Sequence, residues 1–194
     1  HYYIPASLTT VTITDATSIP TAAFNGCSNI TSIVLNDEVT TINGYAFQDC
    51  TNLKSVELSA RLTTLNSYMF KNCTSLESIN IPEGVTFIGY AAFGACSSLT
   101  TITIPEGVTT IGDYAFYNCQ KLTSIVIPDS VTEIASYAFL NCTKLSKVGY
   151  PANWTTTLTY TNDTENWRRE VRTPFYGCTA LKEITVDNGV TQIP

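Results

Sequence analysis

Charge is scarce in this sequence, and positive charge is scarcer still. Only 13% of the 194 residues are charged, ten basic against sixteen acidic, for a formal net charge of −6. Six Lys and four Arg scattered along the chain cannot form the positive stripe that neutralises a phosphate backbone, so nucleic acid is not an expected partner. No run approaches eighteen consecutive apolar residues, which argues against a membrane-spanning helix and against membrane insertion. His1-Tyr2-Tyr3-Ile4-Pro5 lacks the basic stretch and apolar core of a signal peptide. Histidine is nearly missing: the single one is His1. There is no G-x-S-x-G, no glycine-rich phosphate loop followed by Lys, and no C-x-x-C pair, so nucleophile–base, phosphate-cradling and metal-ligating arrangements are all absent. Asp163, Glu165 and Glu170 come nearest to a paired-carboxylate site, but they read as helix-end and ion-pair residues. The expectation is no enzyme, no cofactor and no metal.

What is present is a repeat. Cysteines stand at 27, 50, 73, 96, 119 and 142, five successive intervals of 23 residues, and then at 178 after 36, one period plus thirteen. A Phe precedes each by three residues (Phe24 to Phe175), and Ile or Leu follows each by three (Ile30 to Leu181). Further apolar columns run through Ile33, Val56 and Ile79, through Leu35, Leu58 and Ile81, and through Val39, Leu62 and Val85, with Ile42, Leu65 and Ile88 three residues on. A unit this short cannot bury its own apolar face; stacking neighbours is the only way to a continuous core, so the repeat predicts a solenoid.

In the unit beginning at Leu122, the alternation of Ile125 and Ile127 with Ser124 and Val126 predicts a short strand stopped by Pro128. Such strands would pair in parallel from coil to coil. Val131 to Ile134 predicts a second short extended or turn-like segment. The spacing of Phe139 and Cys142, three apart like residues sharing a helix face, predicts one helical turn over Tyr137–Cys142.

The pattern L-x-x-I-x-I-P-x-x-V-T-x-I-x-x-x-A-F-x-x-C resembles the BspA-like leucine-rich repeats of bacterial surface proteins, over about residues 6–150 and 173–194. That resemblance implies a right-handed leucine-rich-repeat solenoid with short parallel β-strands on the concave face, and with turns, extended segments and single helical turns on the convex side. One domain over residues 1–194 is expected, of about eight 23-residue coils with the first and last partial, and with an insertion at about 152–173. It also implies an extracellular, cell-surface or secreted protein with a role in adhesion to host proteins or other cells.

Several features then compete between a bland and a functional reading. The seven cysteines are odd in number and fall at the same place on successive coils. Their Cβ atoms would lie about one strand spacing (~4.8 Å) apart, beyond the ~3.8 Å of a disulfide, so they read as buried free thiols. Tyr45, Tyr68, Tyr114 and Tyr137 form a column that reads as packing cover, with a sugar-stacking stripe as the alternative. On the outward side of the strands, one column is small hydroxyls (Ser32, Ser55, Ser78). The next varies through Val34, Glu57, Asn80, Thr103 and Val126, and Glu57, Asn80 and Thr103 are candidate partner contacts. Asp37, Glu38, Glu83, Glu106 and Asp129 read as turn residues.

The insertion carries both tryptophans, Trp154 and Trp167, with Arg168, Arg169 and Arg172. Trp and Arg are the types most enriched at binding hot spots, which makes these five residues candidate contacts. The rival reading is a loop that patches an irregular coil, with Trp154 in the slot of the Val column and residues 162–171 as a short helix pairing Glu165 with Arg169. Of five N-x-S/T sequons, only the one at Asn162 looks well exposed. A protein partner is expected. A glycan taken by the Tyr column and the insertion tryptophans is the alternative, and a structural stalk is the third reading. The chain opens on a partial unit and stops at Ile193-Pro194 with no polar cap, so a fragment of a longer array, or self-association through open solenoid ends, is also expected.

Overall fold

The computed structural model describes residue 5, residues 7–150 and residues 173–186, and they stack into a parallel β-solenoid. The twelve short strands are β1 (Thr10–Ile13), β2 (Ser18–Ile19), β3 (Ser32–Leu35), β4 (Thr41–Ile42), β5 (Ser55–Glu57), β6 (Thr64–Leu65), β7 (Phe87–Ile88), β8 (Thr110–Ile111), β9 (Ser124–Val126), β10 (Glu133–Ile134), β11 (Lys147–Tyr150) and β12 (Glu183–Val186). A coil runs through a front segment, a two-residue back strand and a turn wall.

Every strand pair is parallel and follows the repeat. On the front, Val11 lies opposite Ile33 and Ile33 opposite Val56. On the back, β6, β7, β8 and β10 line up Leu65, Ile88, Ile111 and Ile134. The longer interval between the last two front strands does not disturb their register. Val148 on β11 sits opposite both Ile125 and Ile184, so the chain re-enters register after 36 residues.

Behind the strands the core is a set of stacked columns. Phe47, Phe70, Phe93, Phe116 and Phe139 are fully buried, with successive ring centroids 5.1–5.5 Å apart and nearly parallel. Cys50, Cys73, Cys96, Cys119 and Cys142 are buried, Cys27 and Cys178 are half-buried, and all seven are free. Each column thiol from Cys50 onward donates to the carbonyl of the Phe one coil back, as Cys73 does to Phe47 and Cys96 to Phe70 at 3.2 and 3.1 Å. Burial pushes the Cys50 thiol up to about 12, and those of Cys73 and Cys96 well above the usual thiol range. These are small apolar core residues with one satisfied weak donor.

The turn wall corrects one expectation. No helix is present among the described residues, and the Tyr-to-Cys stretch is not a helical turn. Tyr45 and Asp49 have φ of 62° and 59°, and the same two positions are left-handed in Tyr68 and Asn72, Tyr114 and Asn118, and Tyr137 and Asn141. Two left-handed residues per turn break a helix and send alternate N–H groups out of the coil. The amides of Tyr45, Phe47 and Asp49 donate to the carbonyls of Ser67, Met69 and Lys71 on the next coil at 3.0, 3.0 and 2.8 Å. The intervening amides close turns within the coil, Gln48 to Tyr45 and Cys50 to Phe47. The residues ahead of the cysteines explain why this is tolerated. They are Gly26, Asp49, Asn72, Ala95, Asn118, Asn141 and Gly177, mostly the types that accept left-handed backbone at least cost.

A second difference lies on the front. A strand is expected in every coil, but residues 78–81 and 101–104 pair with no neighbour, and the front sheet is in two three-stranded pieces, β1-β3-β5 and β9-β11-β12. Proline withholds one rung of the ladder here. The amide of Asn36 donates to Ile13 of the preceding coil at 3.0 Å. The equivalent positions beside the gap are Pro82, Pro105 and Pro128, all buried, which have no N–H to give. Their carbonyls instead close the turns to Val85, Val108 and Val131 at 3.0–3.1 Å. This is the turn role expected for Glu83, Glu106 and Asp129, each of which follows its proline.

Candidate functional site

Two surfaces gather the chemistry that the described residues offer. The first is the front. In its small-hydroxyl column the Ser55 hydroxyl donates to that of Ser32 at 3.2 Å. Threonine and serine side chains flanking the sheet donate to the carbonyl one coil back, as Thr74 does to Thr51 and Thr100 to Glu77. Beside this column the structure brings Glu57, Asn80 and Thr103 into one row, each exposed, Glu57 at the end of β5 and the other two in the unpaired middle coils. Val126 continues the row at 72% exposure, because the next member, Gly149, has no side chain to cover it.

The middle of the molecule is acidic. Between residues 72 and 143 stand Glu77, Glu83, Glu106, Asp113, Asp129 and Glu133 against Lys121 alone. Glu83, Glu106 and Asp129 are exposed in the turns that follow the front segments. Ion pairs flank this region on either side: Arg61 with Glu38 at 2.8 Å, and Lys147 with Glu183 at 3.0 Å. All four side chains are solvent-exposed, so each pair contributes little to stability.

The second surface is a tyrosine ladder on the turn wall. Tyr45 stacks on Tyr68 with centroids 4.6 Å apart and planes 15° from parallel. The ladder continues Tyr68–Tyr90, Tyr90–Tyr114 and Tyr114–Tyr137 at 5.1–5.5 Å with tilts of 31–50°, and ends where Tyr176 meets Tyr137 edge-on. Three of these rings lie at the surface: Tyr45 and Tyr90 are 40% exposed and Tyr176 56%. The Lys71 ammonium sits 5.3 Å from the centroid of the Tyr68 ring. Burial, together with the neighbouring Tyr90 hydroxyl, raises the Tyr68 phenol above its ordinary value.

Column counting finds Tyr45, Tyr68, Tyr114 and Tyr137 but misses Tyr90 and Tyr176. Tyr90 stands one residue early, beside Ala91 in the column position, and its ring still reaches the vacant rung. Tyr176 follows its Phe, as Tyr117 follows Phe116, and both reach back to a column tyrosine in the same near-perpendicular contact. Tyr117 in turn lies over Gly94, whose missing Cβ is the space its ring fills. The signal for Tyr90 was available, as a tyrosine displaced by one at a coil where the column holds alanine, Ala91.

Trp154, Trp167, Arg168, Arg169 and Arg172 lie outside the described residues, as do the short helix expected over 162–171, the sequon at Asn162 and the chain ends at 1–4 and 187–194. Among the described residues no group of three His, Cys, Asp or Glu is placed to hold a metal ion, and no helix is long and apolar enough to cross a membrane.

The repeat matches the family model of the BspA type leucine rich repeat region in six copies, over residues 2–122 and 66–164. No curated protein matches the chain. Among solved structures it is similar to a leucine-rich repeat protein of T. pallidum, at 28% identity and a TM-score of 0.53, covering 92% of this chain and 63% of that one. A leucine-rich cell surface protein of Faecalibacterium prausnitzii shares 23% identity with a TM-score of 0.61, covering 93% of this chain and 60% of its own. A leucine-rich repeat protein of Bacteroides ovatus shares 22% identity with a TM-score of 0.57, covering 94% and 70%. The chain therefore spans less than two thirds of the first two, and the likeness to the second and third is one of fold. With six copies of the repeat model spread over most of its length, the chain belongs to the family of BspA-type leucine-rich repeat proteins.

Proposed function

We propose that this chain is a non-catalytic protein-binding module of a cell-surface protein, and that the partner seats on the front face along Glu57, Asn80, Thr103 and Val126. The observation that carries this reading is the contrast within that face. The backbone and the Ser/Thr column repeat from coil to coil, while the neighbouring exposed row changes residue at every step. A regular scaffold with a varied exposed row can distinguish partners without altering the core. The excess of acid between residues 72 and 143 favours a partner segment carrying Lys or Arg, and with it an association that weakens as salt rises. A surface location is supported by the likeness to the leucine-rich cell surface protein of F. prausnitzii.

Within the same reading, Trp154, Trp167, Arg168, Arg169 and Arg172 extend the contact from the insertion. The test is a pull-down from surface extracts with the intact chain, a Glu57→Ala/Asn80→Ala/Thr103→Ala variant and a variant lacking residues 159–172. The front-face variant loses its partner with its thermal unfolding unchanged, and the deletion weakens the same partner. Full retention of binding by the front-face variant overturns the assignment to the front. Capture of a glycan by the intact chain, with no protein retained, replaces it with the carbohydrate reading.

A further inference from the structure

The tyrosine ladder is not used by the proposed binding face, and its first pair has a geometry unlike the rest. Tyr45 and Tyr68 are both the nearest and the most nearly parallel of the stacked tyrosines, at 4.6 Å and 15°, whereas the following pairs are farther apart and tilted by 31° or more. Tyr45 is 40% exposed, so an oxidant in solution reaches it, and Tyr68 is half-buried against it. The two residues belong to adjacent coils held by backbone bonds, Tyr45 N–H to Ser67 and Phe47 N–H to Met69, so their backbones stay one coil apart and the rings within reach of each other.

We propose that Tyr45 and Tyr68 are a site of intramolecular dityrosine formation, a covalent staple between neighbouring coils made when the protein meets a peroxide-driven one-electron oxidant. Each phenol gives up one electron and its hydroxyl proton to become a phenoxyl radical with spin density on the ring carbons beside the oxygen. The two radicals join through one such carbon on each ring, and the hydrogen displaced from each carbon moves to its own oxygen, restoring two phenols. The pair loses two electrons and two protons in all. One hydrogen peroxide takes them up and leaves as two waters. Stacking supplies the encounter in advance, so coupling within the pair competes well against collision with a second molecule. The ring ends need only swing toward each other about side-chain torsions at the surface.

The test treats the full chain, at low concentration, with a haem peroxidase and hydrogen peroxide. Dityrosine fluorescence is then followed, and tryptic peptides are mapped by mass. Trypsin cuts after Lys54, Arg61 and Lys71, so Tyr45 and Tyr68 fall on separate peptides that the link would join with loss of two hydrogens. We expect that product as the main cross-link, on a chain that still runs as a monomer in a denaturing gel. Tyr45→Phe and Tyr68→Phe keep the stacked ring and the fold but cannot form the phenoxyl, so each reduces the product to the level seen without peroxide. Tyr176→Phe, at the far end of the ladder, leaves it unchanged. Persistence of the fluorescence in Tyr45→Phe overturns the assignment, and so do cross-links only between molecules or an absence of cross-link in the wild type.

Discussion

The front sheet and the turn wall are built from the same repeat, yet they hold the coils together to different degrees. On the turn wall, the Tyr, Phe and pre-Cys amides reach across to the next coil from Ala22, Phe24 and Gly26 through to Phe139 and Asn141, with rings and thiols stacked beneath them. On the front, the ladder stops at the two middle coils, where Pro82, Pro105 and Pro128 have no amide to offer. The strands that make the repeat recognisable are thus the looser wall. The stretch that resembles a helix in sequence is the continuous spine. Leaving the front less bonded frees its outward row to vary, which suits a contact surface.

The sharpest way to break this comparison is to remove a rung of the spine. Phe116→Ala leaves a cavity between Phe93 and Phe139, and we expect a loss of about 3–5 kcal/mol in urea unfolding. A loss below about 1 kcal/mol would show that the ring stack is peripheral.

The thiol column gives the next effect. Burial raises the folded-state thiols of Cys50, Cys73 and Cys96 above their ordinary value of 9.0. Folding therefore holds these protons more tightly than the unfolded chain does. Stability is fully present below pH 9 and is lost as pH rises beyond it, by ~1.4 kcal/mol per pH unit for each thiol that ionises only on unfolding. Thermal unfolding between pH 7 and pH 10.5 checks the sign. In native buffer the five buried thiols, Cys50 to Cys142, should resist alkylation, and all of them should react once the chain is denatured without reductant.

A smaller change tests the backbone of the spine alone. Asn118 sits at a φ of 56°. Asn118→Ala places a residue less suited to that conformation there and should cost about 1 kcal/mol, while Asn118→Gly should cost less than Asn118→Ala. Equal effects of the two would mean that the left-handed turn is not what matters. The smallest effect is expected on the front, where Thr103→Ala, exposed and in an unpaired coil, should fall within about 0.5 kcal/mol of wild type.

Much of this was legible in the sequence because burial imposes a period. Ile33, Phe47, Cys50 and Leu53 recur every 23 residues because each must meet its copy in the next coil, and the register after the insertion followed from simple counting to Cys178. Local conformation was less legible. Phe and Cys three apart satisfy a helix and the observed turn wall equally, and only the residue before the Cys, so often Asn, Asp or Gly, distinguishes them. The broken front ladder carried a signal as well, since proline can end a strand and also withhold a rung, and apolar alternation shows only the first. Tyr90 escaped column counting because a ring on a long side chain reaches a site one residue away from its own position. Glu57, Asn80 and Thr103 were found as a row because strand alternation places them outward, whereas the five Trp and Arg candidates fall on residues outside those described.

The central claim, a continuous spine behind a divided front, is tested most directly by native-state hydrogen exchange read amide by amide. We expect the amides of Phe93 and Phe116, which donate to Ala115 and Ala138 at 2.8 and 2.7 Å, to be among the slowest in the molecule. Those of Asn80 and Thr103, in the unpaired coils, should exchange orders of magnitude faster, and those of β3 should be slow. Protection at Asn80 and Thr103 equal to that at Phe93 and Phe116 would contradict the account, for it would mean that the front sheet is whole and bears the stacking as fully as the turns do.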